Sequence, residues 1–296
     1  MLVYPRAIMR PMQIGDISLD WLYEADFGLD GGAMFGVVPR VVWSKRYPAD
    51  SENFIPLSLR PLLVRRPGTV MLIDAGYGNK LTEKQRVQYR LSRDCDPRRD
   101  LARFGLAPED VTHLVFTHLH PDHAGGATTL EADGSIRPTF PRARVVVQRL
   151  ELEAMTTPHL RTKHAYQEEN WRPVADAGLA HVVDGTAEIA EGIEVHLTGG
   201  HTQGHQILKM SSGGQTVLHM GDLLPTHAHI NPLWVMAYDD FPMQSIEQKA
   251  RWLPRAQAEG WWLSFYHDRK LLAARFDAAG KVCDALDAPL LASTAV

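Results

Sequence analysis

The chain has 296 residues, 45% of them hydrophobic and 22% charged, with a formal net charge of -4. That composition is ordinary for a soluble globular protein, and the length suits one large α/β domain or two small ones. No apolar run reaches the roughly 18 residues of a membrane span, and no Lys/Arg-rich stretch offers contacts to a phosphate backbone. Neither nucleic acid nor a membrane is the expected partner.

The opening "MLVYPRAIMRPMQIGD" is broken by two prolines and lacks a long apolar centre, so no secretory signal is expected. Cys95 and Cys283 stand far apart without a CxxC partner. Two free thiols in a reducing cytoplasm are the expectation. Short apolar, β-branched runs predict strands at Leu62 to Arg66, Val70 to Asp74, His113 to Thr117 and Arg144 to Gln148. Further strands are predicted at Ile193 to Leu197, Gln206 to Met210, Thr216 to Met220 and Trp261 to Tyr266. "RRPGTV" at 65–70 and "SSGGQT" at 211–216 read as hairpin turns. Thr82 with Gln85, and Ser245 with Gln248, have the spacing of helix capping boxes. Gly260 suits a helix C-terminus, and Pro254 predicts a kink or break before it. The charged stretch 84–104 reads as a helical cover or subunit contact. Mixed strands and helices with apolar faces predict sheets covered by helices.

"FTHLHPDHAGG" at 116–126 follows one of these strands. Continued extension puts His118 and His120 on one side, because alternate side chains share a face. Pro121 turns the chain, and Asp122 and His123 follow where a helix can start. Gly125 and Gly126 permit close backbone approach. Imidazoles and a carboxylate converging at a strand end are good ligands for a borderline divalent cation such as zinc. His113, His159, His164, His181, His196 and His219 lack such clustering and read as surface or hydrogen-bonded core residues. His205 reads as a loop support.

The H-x-H-x-D-H pattern resembles the metallo-β-lactamase superfamily. The resemblance implies an α/β, four-layer αβ/βα sandwich, taken here as one domain over 1–296, with a two-metal site along one sheet edge. It also implies ligands further along the chain. "TGGHTQGH" at 198–205 supplies His201, "LHMGD" at 218–222 supplies Asp222, and "FYHD" at 265–268 supplies His267. By this resemblance His118, His120 and His201 bind one metal, and Asp122, His123 and His267 bind a second. Asp222 bridges both. Asp74 in "LIDAG" looks like the family's aspartate that orients a ligand histidine. Zinc is the default metal, and manganese, iron, cobalt and nickel also suit these ligands.

Two such metals can share a hydroxide nucleophile at neutral pH. Asp222 and Asp122 are the catalytic candidates, with Asp222 carrying a proton to the leaving oxygen. "GGAMFGVVPRVVWSKRYPAD" at 31–50 and "MGDLLPTHAHINPLWVMAYDDFP" at 220–242 resemble the YtnP-like quorum-quenching N-acyl-homoserine lactonases, and more distantly the methyl parathion hydrolase type. Lactone opening is the implied activity, and the resemblance suggests a homodimer. The alternatives are an organophosphate triesterase and a metal-dependent sensor without turnover. Met34, Phe35, Trp43, Trp234, Met236, Tyr238 and Phe241 are candidates for an acyl-chain pocket, half of them expected in the core. Met34 and Phe35 lead, since their flanking glycines predict an exposed loop. Related lactonases carry a tyrosine three residues after the bridging aspartate. Pro225 stands there instead, and Thr226, His227 and His229 are candidates to replace it.

Overall fold

Alternation along the strands builds the layers. Leu62 and Val64 face one apolar cluster while Leu63 faces another. Val146 likewise points opposite to Val145 and Val147, as a period of two requires. The computed structural model describes residues 11–289, so most of the N-terminal segment considered above lies outside the described residues.

Among the described residues there are two seven-stranded sheets. The first runs, in spatial order, Met12–Ile14, Ile17–Trp21, Leu62–Arg66, Thr69–Ile73, His113–Val115, Arg144–Gln148 and Ala180–Val183. The second runs Thr186–Ala190, Ile193–Leu197, Gln206–Ser212, Gln215–His219, Trp262–Ser264, Leu271–Phe276 and Val282–Asp287. Side chains from both sheets share one core: Leu62, Met71 and Val115 with Ile193, Leu208 and Val217. The outer face of the first sheet packs on Leu101 and Val174, from the helices Pro97–Ala102 and Arg172–Asp176. That of the second packs on Trp252, Leu253 and Ala256, from the helix Pro242–Ala258. The result is the expected helix–sheet–sheet–helix sandwich.

All eight predicted strands occur, with ends shifted by up to a few residues. Both predicted hairpins form, with Gly68, Gly213 and Gly214 at positive φ. The capping box of Thr82 and Gln85 is made. The one at Ser245 is not. That helix starts at Pro242, whose ring presets a helical φ and lacks the N–H that a first turn leaves unpaired. Ser245 therefore lies inside the helix, its backbone N–H bonded to the Phe241 carbonyl. Pro254 does not end the helix, which runs to Ala258. The 84–104 stretch forms two short helices, Glu83–Gln88 and Pro97–Ala102, because Arg90 takes φ 50° and Pro97 starts a new first turn.

A two-stranded sheet, Ala25–Asp30 with Phe54–Leu59, and the short helices Gly31–Phe35 and Arg40–Trp43 form a flap beside the sandwich. Its buried cluster joins Phe27, Phe35, Trp43 and Tyr47 to Tyr77, Trp234 and Tyr266. No helix among the described residues is long and apolar enough to cross a membrane.

Candidate metal centre

Strand direction brings the distant motifs together. Thr69–Ile73 and His113–Val115 run parallel, and so do Gln215–His219 and Trp262–Ser264. Ile193–Leu197 points the same way as the latter pair through two antiparallel steps. Each strand therefore delivers its following loop to one edge of its sheet, the usual place for a site in layered α/β folds.

Three groups of ligand atoms form there: His118, His120 and His201; His118, His123 and Asp222; and Asp122, His123 and His267. Within each group the atoms lie within 4.8 Å of one another. His201 Nε2 is 3.0 Å from His120 Nδ1, and His267 Nε2 is 3.2 Å from His123 Nε2. Asp222 divides its carboxylate between them. Oδ2 is 3.4 Å from His201, while Oδ1 is 3.3 Å from both His123 and His267. Asp122 Oδ2 lies 3.4 Å from His267 and 3.7 Å from His123. All seven predicted ligand positions are thus brought together.

The donor set suits divalent cations. His118 Nε2 and Asp222 Oδ1 are buried without a hydrogen-bond partner among the described residues, which a cation would remedy. Burial, then the neighbouring imidazoles, holds His118 and His120 far below the ordinary histidine pKa, so both are neutral and could donate a lone pair to a cation. Burial works against protonating His123, but Asp222, Asp122 and Asp74 outweigh it and raise its pKa.

A buried outer layer orients these groups. Asp74, at φ 57°, accepts the Thr117 N–H at 2.8 Å and lies 2.8 Å from His123 Nδ1. Asp239 Oδ1 is 2.8 Å from His201 Nδ1, and the Ser58 carbonyl is 3.2 Å from His267 Nδ1. Tyr266 donates its hydroxyl to the Asp122 carbonyl at 2.7 Å. Buried Glu151 accepts from Leu119 N, Thr202 Oγ1 and Gly204 N, tying two ligand-bearing loops together. Of these, only Asp74 was singled out from sequence. Asp239 had one faint signal, an acidic pair set in an otherwise apolar segment. His205 supports its loop through Thr198, as expected, and His219 is a buried residue 2.7 Å from Ser264 Oγ.

The expected exposed loop at Met34 and Phe35 is corrected. Both lie in the helix Gly31–Phe35 and are buried. The Phe35 ring stacks on Trp43 at 4.9 Å and on His229 at 4.4 Å, because these flat rings fill the flap's core. Trp43, Trp234 and Met236 are buried too, whereas Tyr238 and Phe241 are exposed. His229 lies 2.8 Å from Thr226 Oγ1 through one ring nitrogen and 2.9 Å from the Met34 carbonyl through the other, so neither faces a substrate. His227 Nδ1 lies 2.5 Å from Asp268, leaving its Nε2 available.

This geometry agrees with the comparisons. A curated N-acyl homoserine lactonase of Bacillus cereus is 32% identical over 109 residues, 36% of each chain. The alignment thus spans about a third of that relative's length. The crystal structure of a probable metal-dependent hydrolase from Staphylococcus aureus is 38% identical, covering 95% of this chain and 100% of that one, with a TM-score of 0.89. AidC, a dizinc quorum-quenching lactonase solved with a product, N-hexanoyl-L-homoserine, is 17% identical with a TM-score of 0.74 over 94% of this chain and 96% of its own, a likeness of fold. The family model of the metallo-beta-lactamase superfamily matches residues 61–267, from just before the strand Leu62–Arg66 to His267, and the chain belongs to that superfamily.

Proposed function

We propose that the chain is a dinuclear metal-dependent hydrolase that opens the lactone ring of N-acyl homoserine lactones. The observation that carries this reading is Asp222, whose two oxygens face two different ligand groups. His118, His120 and His201 would hold one cation, Asp122, His123 and His267 the other, and Asp222 both, with zinc as the proposed metal. Such a pair supplies Lewis-acid polarisation of a carbonyl and a water acidic enough to be a nucleophile near neutral pH. The chain's own residues do the rest. Asp74, Asp239 and the Ser58 carbonyl keep the ligand imidazoles oriented. Asp222 carries a proton toward the leaving alkoxide. The flap reaches this edge through Phe27, whose ring packs tilted against His267 with centroids 5.3 Å apart. The lactonase relative at 32% identity supports the substrate class.

The test is ring opening of a long-chain N-acyl homoserine lactone, followed by proton release with metal-loaded protein. His118→Ala serves as blank and an aryl phosphotriester is run alongside. Fast lactone opening that disappears in the variant supports the proposal. A dominant phosphotriester rate replaces it with the triesterase alternative, and binding without turnover of either replaces it with the sensor.

A further inference from the structure

Three tyrosines border the Asp122 side of the centre, each from a different part of the chain. Tyr77 follows the loop that packs on the H-x-H-x-D-H segment: Ala75 N–H bonds to the His123 carbonyl at 2.7 Å, and Gly126 N–H to the Gly76 carbonyl at 2.9 Å. Its ring meets Phe27 edge-on at 6.1 Å, and Phe27 in turn packs on His267. Tyr89 comes from the end of the helix Glu83–Gln88, inside the stretch that read from sequence as a helical cover or subunit contact. It stacks on Tyr77 with centroids 5.1 Å apart and planes 15° apart, and its carbonyl accepts the Gly28 N–H.

Tyr238 sits between two pinned neighbours. Ala237 N–H bonds to the Ala33 carbonyl of the flap at 2.8 Å, and Arg161 donates to the Ala237 carbonyl. On the other side, Asp239 orients His201, and Asp240 N–H bonds to the His201 carbonyl. Tyr238 therefore bridges the flap and the first ligand group while 41% of it stays exposed.

None of these three hydroxyls makes a hydrogen bond among the described residues. Tyr77 is 95% buried as a residue, yet its unpaired hydroxyl still reaches accessible surface, where it can meet a ligand. Tyr166 on the opposite side shows the contrast, because its hydroxyl donates to Glu151. Enclosure first, then the Asp122 carboxylate, raises Tyr77 and Tyr89 above the ordinary tyrosine pKa; at Tyr238 enclosure comes first, then Asp30, then Asp122. They remain protonated donors at neutral pH.

We propose that Tyr77, Tyr89 and Tyr238 form a donor rim that binds an acyl-amide carbonyl beside the scissile ester, with their rings flanking the acyl chain. Such a rim selects substrates that carry a hydrogen-bond acceptor a few bonds from the ester and an apolar chain beyond it. A phenol left without its acceptor disfavours an amide-free lactone, so the rim determines specificity as well as affinity.

The inference rests on the proposed lactonase activity, and its test separates the two. Metal-loaded wild type, Tyr89→Phe, Tyr238→Phe and the double variant are assayed on N-hexanoyl homoserine lactone and on an alkyl γ-lactone of equal length without the amide. Each protein is also titrated calorimetrically with N-hexanoyl-L-homoserine. The rim requires kcat/KM on the amide-bearing lactone to fall, mainly through KM, by roughly tenfold more than on the amide-free one. It also requires weaker binding of the homoserine compound in each variant. Equal losses on both lactones, or unaltered binding, overturn the rim. A wild type that binds the homoserine compound through these hydroxyls yet opens neither lactone overturns the lactonase reading and leaves the rim. A wild type that does not bind it overturns the rim.

Discussion

Asp239 Oδ1 lies 2.8 Å from His201 Nδ1, and both side chains are buried. This contact fixes which ring nitrogen of His201 points at the ligand group, because the other is already engaged. Asp239→Ala removes the orienting acceptor but none of the proposed ligands. Metal affinity should fall by about 10- to 100-fold, the usual effect of losing such a partner. Chelator competition measures it, with far-ultraviolet circular dichroism as the check on folding. Unchanged affinity in a folded variant would remove Asp239 from the centre's support.

Asp222→Asn tests the shared carboxylate. An amide is neutral and offers one acceptor oxygen where two carboxylate oxygens now face two ligand groups. The variant should bind at most one cation per chain and lose at least about 100-fold in turnover, the scale of removing one electrostatic stabiliser. Metal analysis after gel filtration and the proton-release assay read both. Two retained cations with full activity would sink the bridging role.

Lys249, which is not itself a proposed ligand, gives a pH prediction. Its ammonium is buried and donates to the Trp234 carbonyl at 2.6 Å. Burial pushes its pKa down to about 7, with only Asp239 opposing. Below pH 7 the charge is carried in both states and its burial cost is felt in full. Between pH 7 and the ordinary lysine value the unfolded chain holds the extra proton, so stability rises with pH across that window. The gain is at most about 4 kcal/mol by pH 10. Lys249→Met should flatten that rise in urea melts at pH 7, 8, 9 and 10. Parallel profiles for the two proteins would show that Lys249 contributes nothing to it.

Gly126 tests close packing behind the motif. A Cβ there would stand 2.1 Å from the Ala75 carbonyl oxygen, a backbone atom held by the bonds between 75–76 and 123–126. Gly126→Ala should cost about 1–3 kcal/mol, the range for overpacking. It should appear as a lower urea midpoint at unchanged slope, with weaker metal retention. A wild-type midpoint would mean that the segment moves freely.

Much of the sandwich was legible because burial alternates locally. Leu62 to Arg66 and Arg144 to Gln148 read as strands at their observed limits, since each carries its own two-sided pattern. Ala25–Asp30 and Val282–Asp287 were missed, because Gly28, Asp26 and Asp284 weaken that pattern and only pairing with a neighbour makes them strands. The misplaced Ser245 cap has a similar cause. The spacing is a local signal, and Pro242 with the Phe241 carbonyl starts the turn earlier.

The sequence by itself determined the kinds of candidate ligand and the order in which they occur, because motif spacing and strand ends are properties of neighbours along the chain. Only the tertiary structure decided that Asp222 faces two ligand groups, that Asp239 orients His201, and that Tyr77 stacks on Tyr89. It also placed Met34 and Phe35 inside the flap, where flanking glycines had read as a loop. Those relations join residues tens to more than a hundred positions apart, and they depend on strand direction, sheet order and packing, which no local pattern carries.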